Sequence, residues 1–150
     1  MDNEQKTIEK IAKELLKNLD IEAKAKVLKN DDTSYSVKIE GEDLGILIGY
    51  HGETLNAFQL ILSLITYKKL EKWVHILVDV GNYRSERSKK LEEVATAAAQ
   101  KARFLQKKIE LHPMSSYERM IVHSAVSKVD GVKSESEGEG YTRHVVISPA

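Results

Sequence analysis

Hydrophobic periodicity places this chain in the α+β class, as two small folded units with one long helix between them. Three stretches decide it. Residues 21–40 alternate apolar and polar side chains on either side of a turn cluster, the pattern of a hairpin with one wet face. Residues 46–55 run three apolar side chains into a corner bounded by two glycines, and that corner opens a helix. Residues 83–108 contain no Gly or Pro and are rich in Ala, Glu, Lys and Arg, which favours an unbroken helix. The implied order is αββααβ over 1–81, a linking helix over 82–108, and a small α/β unit over 109–150.

Taken in order, residues 4–18 set Ile8, Ile11, Ala12, Leu15 and Leu16 on one face between Lys and Glu, so this helix packs by a single stripe. The strands at 21–29 and 34–40 flank Asn30, Asp31, Asp32 and Thr33, side chains that bond to their own backbone and so favour a turn. Beyond the glycine corner, Leu55, Phe58, Gln59 and Leu62 line one side of a helix reaching about residue 67, and Ile61 and Leu64 broaden its apolar face. Residues 73–80 are nearly continuous in apolar side chains, which predicts a central strand. Asp79 at its end is placed to cap the long helix. After that helix, residues 109–111 form a short strand closed by His112 and Pro113. Ser115 or Ser116 caps a helix through Val122 and Val129, Asp130 and Gly131 stop it, and strands at 132–136 and 142–148 complete the unit.

Composition narrows the function. With 150 residues, 41% hydrophobic and 31% charged, the chain can bury one modest core or two small ones. No apolar run is long enough to span a bilayer, and Met1 to Gln5 lack the basic and apolar regions of a signal peptide. Cysteine is absent, which removes disulfide and thiolate chemistry and makes a reducing cytoplasm the simplest home. Five histidines are scattered without ligand-like spacing, so neither a metal nor a cofactor is expected. Paired catalytic carboxylates are missing too, which favours binding over enzymatic chemistry. Net charge is zero, yet residues 83–128 hold ten Lys/Arg against five acids, a local +5.

The corner Ile46, Leu47, Ile48, Gly49, Tyr50, His51, Gly52, Glu53 is the candidate binding loop. Its glycines allow positive φ and close backbone approach, and the helix N-terminus behind it offers unpaired N–H groups and a positive dipole end to a phosphate. Helix, G-x-x-G, helix in this setting resembles the KH domain, whose loop clamps a single-stranded backbone; the element order matches the type II KH fold. Arg84 and Arg87, at the start of the basic helix, are candidates to reach a bound strand, against an equally weighted reading as a solvated face.

Arg119 and His123 share one side of a helix. With Pro113, Met114 and Glu118 before them and the run Ser134 to His144 after, they resemble the R-three-H domain, a single-stranded nucleic-acid module. A KH domain followed by this module is similar to the C-terminal part of the Jag family (SpoIIIJ-associated, also called KhpB or EloR). The resemblance covers roughly residues 10–147 and leaves out the family's separate N-terminal domain. It implies bacterial RNA binding without catalysis, regulation linked to cell elongation or division, and a small KH partner protein or homodimer. It also implies nucleic-acid contacts at Arg119, His123 and Arg143. Where family members carry basic residues between the loop glycines, this chain has Tyr50 and His51, so weaker phosphate attraction and base stacking on Tyr50 are expected.

The expectation is a cytoplasmic protein that binds single-stranded RNA, with single-stranded DNA left open. Its rival is a protein-interaction module that forms KH-mediated dimers with little RNA affinity.

Overall fold

Asp2 starts the first helix, α1 (Asn3–Asn18), through a reciprocal cap: its carboxylate accepts from Gln5 N at 2.7 Å while the Gln5 side chain accepts from Asp2 N. The computed structural model describes residues 1–150 and divides into two units, Met1–Arg84 and Ser85–Ala150. In the first, the expected stripe of α1 is buried at Ile8, Ile11, Ala12 and Leu16. Each of the larger three contributes roughly 1.5–3 kcal/mol by leaving water.

Strands β1 (Lys24–Lys29), β2 (Ser34–Glu40) and β3 (His75–Val80) form one sheet in the order β1-β2-β3, antiparallel then parallel. Val27, Val37 and Val78 are in register across it, and all three are buried. One face is therefore apolar, and α1 and α3 (Glu53–Leu70) pack over it. The expectation of a central β3 is corrected. The centre belongs to β2, and β3 lies at the edge with Leu77 on its outer side, half exposed. A nearly continuous apolar run looks alike whether both faces are covered or only one.

The parallel β2–β3 pair requires a crossover, which α2 (Gly45–Ile48), a 3₁₀ turn (Tyr50–Gly52) and α3 provide. The glycine corner thus sits within the connection itself. Asp79 Oδ1 accepts from Val80 N and from Arg84 N, capping α4 (Tyr83–Leu105) as expected.

In the second unit Leu91, Ala95, Ala99 and Ala102 of α4 form a buried stripe against Val122 and Val126 of α5 (Ser116–Val126). Strands β4 (Ile109–Glu110), β5 (Val132–Glu137) and β6 (His144–Pro149) make an antiparallel sheet with β6 in the middle. Val145 and Ile147 of β6 enter the same core. No helix is long and apolar enough to cross a membrane.

Candidate nucleic-acid interface

The loop is built by two glycines for different reasons. Gly49 has φ 71° and ψ −168°, and a Cβ there would lie 2.1 Å from Thr54 Oγ1, so no other residue fits. Gly52 has φ 83° and meets the Tyr83 ring, which a Cβ would approach at 3.0 Å. Between them His51 takes φ 50°, a left-handed conformation that His tolerates better than most residues. The Tyr50 and His51 rings stack with centroids 3.8 Å apart, and Tyr50 is 66% exposed. Gly52 occupies the N-cap of α3 without any side-chain cap bond. The first N–H groups of an 18-residue helix therefore have no side-chain acceptor at its cap, directly after the stacked pair in the chain. Glu53, exposed in the same turn, opposes an incoming phosphate.

The second cluster lies in the other unit. Ser115 caps α5 by accepting from Glu118 N. Arg119 projects from the next position and donates from Nε to the Met114 carbonyl at 3.3 Å. Arg143 donates to the Gly138 carbonyl at 2.8 Å. His123 is held by two hydroxyls on alternate residues of β5: Nδ1 with Ser134 Oγ at 2.7 Å and Nε2 with Ser136 Oγ at 2.8 Å. Burial first, then the guanidiniums of Arg119 and Arg143, hold its pKa below the ordinary 6.5. Both arginines thus act on the ring through their charge, and two cations and a neutral imidazole come together. The sequence singled out these three residues; Ser134 and Ser136 fell within the quoted motif without a role.

Comparison with known proteins bears on both units. The KhpA/KhpB KH-domain model matches residues 5–78, and the R-three-H domain model matches residues 89–149. Three relatives named RNA-binding protein KhpB come from Clostridium symbiosum, Bacillus subtilis and Streptococcus pneumoniae. They are 38%, 38% and 32% identical over 75%, 73% and 89% of this chain. The chain carries a KhpA/KhpB-type KH domain followed by an R-three-H domain, and its relatives are proteins of the KhpB, or Jag, family. It spans 51%, 54% and 40% of those relatives' lengths, respectively.

Within the KH domain, several expected contacts are corrected. Leu47 is 1% exposed and belongs to the core, so it has no surface to offer a base. Ile46, 73% exposed, does, and Ile48 is partly buried against the core. Arg84 donates to the Val78 carbonyl at 2.8 Å, to Asn56 Oδ1 at 3.2 Å and to Gln59 Oε1 at 3.0 Å. Gln59 Oε1 also accepts from Val78 N. Arg84 therefore ties β3 to α3. In the second unit Arg87 grips Glu118 at both carboxylate oxygens, 2.9 and 3.3 Å, with both side chains largely buried. It too is structural: a guanidinium paired with a buried carboxylate is not available to a phosphate. Charge counting along the helix cannot distinguish such arginines from exposed ones.

Proposed function

We propose that this chain binds single-stranded RNA in the cytoplasm, without catalysis, as a post-transcriptional regulator connected with cell elongation or division. A strand would lie with a phosphate over the N-terminus of α3 and a base against Tyr50. Arg119 and Arg143 would take a further phosphate, and the ring face of His123 would lie beside a base. Both ring nitrogens of His123 are already engaged by serines, so stacking rather than donation is its role. The observation that carries the reading is the start of α3, which lacks a side-chain cap and follows two stacked rings at a corner where Gly49 admits no side chain. The KhpB relatives, named as RNA-binding proteins, support it.

The decisive variant is His51→Asp. It keeps a residue type that tolerates the left-handed conformation and puts a negative charge where a phosphate would sit. Gly52→Asp is less clean, because its Cβ presses on Tyr83. Measured by fluorescence anisotropy with labelled single-stranded RNA at fixed salt, His51→Asp should weaken binding about tenfold or more, the range of one lost charge-assisted contact. Unchanged affinity rejects the loop assignment.

One observation favours a second reading, dimerisation of the KH domain with a copy or a small KH partner. Leu60, Ile61 and Leu64 of α3 share a face and are 58%, 48% and 48% exposed. Light scattering on the sample used for RNA binding separates the two: a tight dimer without RNA affinity supports the second.

A further inference from the structure

Strand β6 carries His144 between two carboxylates. Glu137 of β5 is its direct cross-strand partner. Glu110 of β4 pairs with Val146, one diagonal step away on the same face. This is the face opposite to the one from which Val145 and Ile147 enter the core. His144 Nδ1 lies 2.9 Å from the Thr142 carbonyl. A carbonyl only accepts, so Nδ1 carries the proton, and in the neutral ring Nε2 presents its lone pair. That nitrogen is sealed from solvent and has no hydrogen-bond partner, the nearest carboxylate oxygen of Glu110 being 3.6 Å away. A buried lone pair facing carboxylates is unfavourable until something positive joins them. One ligand atom from each of Glu110, Glu137 and His144 lies within 4.8 Å of the other two.

We infer that Glu110, Glu137 and His144 bind a divalent transition-metal ion, of which Zn²⁺ fits best. One imidazole with two carboxylates and no thiolate suits Zn²⁺ better than Mg²⁺ or Ca²⁺, which take oxygen ligands alone. Tetrahedral ligation at about 2.1 Å sets ligand atoms roughly 3.4 Å apart. Both glutamates are exposed and can close the remaining distance by turning their side chains. The Nδ1–H bond to a backbone carbonyl is the outer-shell contact that orients a metal-bound imidazole. A bound ion would fasten both edge strands, β4 and β5, to β6. It would do so at the base of the 138–143 loop, which carries Arg143 and the fully exposed Tyr141. The site stands whether or not the chain binds RNA.

The test is a Zn²⁺ titration of the full chain by calorimetry, with the five imidazoles followed by long-range ¹H–¹⁵N correlation. Saturable binding should shift His144 Nε2 while the other histidines stay in place. Glu137→Gln and Glu110→Gln, at exposed positions where folding is not at risk, should each weaken binding at least about tenfold, the loss that even an outer-shell partner causes. The inference is overturned by no saturable binding at roughly millimolar Zn²⁺, or by affinity unchanged in both variants. It is equally overturned if His144 is an imidazolium paired with Glu110 that Zn²⁺ does not displace.

Discussion

His123 shows how a single side chain links packing to pH. Its folded-state pKa lies below 6.5, through burial and then through the charges of Arg119 and Arg143. Ser134 and Ser136, which hold the ring, do not titrate. Below about 6.5 the unfolded chain binds the proton more readily than the folded one, so stability rises with pH in that window. The stability due to neutral His123 is intact above 6.5 and is lost as pH falls through the depressed value. By ¹H NMR, the His123 ring should titrate with a midpoint below 6.5. His123→Asn should flatten the acid side of the stability curve relative to wild type. A midpoint at or above the ordinary value defeats the argument. At this scale the sequence was partly legible. The pair Arg119 and His123 was readable from helical spacing, whereas the hydroxyls that fix the ring come from a strand after the helix. Glu110, Glu137 and His144 were invisible as a set. They meet through strand pairing, and no spacing along the chain records that.

Elements were read more securely than their partners. The helix over residues 83–108 was expected as a link and is observed over Tyr83–Leu105, where its alanines build the core of the second unit. Its propensity was evident in sequence, but which face packs and against what was not. The Arg87–Glu118 pair is the polar tie between α4 and α5. Removing one member of such a pair leaves a buried charge, at a cost of about 3–5 kcal/mol, whereas replacing both by apolar groups is often neutral. Arg87→Met should therefore lower stability to urea by about 3 kcal/mol, and adding Glu118→Leu should restore much of the loss. A single variant as stable as wild type would show the pair to be solvated in practice. Misplacing β3 at the sheet centre has a similar origin. Leu77 is apolar yet faces outward, and an apolar run cannot say whether its second face is covered.

Across the whole chain, a net charge of zero coexists with a basic stretch over residues 83–128, and two of its arginines are tied internally. On the proposed function, affinity for RNA would come from a few placed contacts rather than a general cationic field. Two weak contact regions on one polypeptide give a distinct signature, because engaging the second becomes intramolecular once the first is bound. RNA of about four nucleotides, enough for a KH loop, should bind weakly. Lengthening it should bring a rise in affinity beyond the statistical gain, within the 10²–10⁴-fold range that linkage allows. Arg119→Ala should remove that rise while leaving short-RNA affinity near wild type, and should reduce the salt slope on long RNA by about 0.7, the value for one lost phosphate contact on a single strand. Affinity that climbs only with the number of available registers would mean that the two regions act separately. In that case the Arg119 and His123 cluster would serve a second ligand rather than a longer grip on the same one.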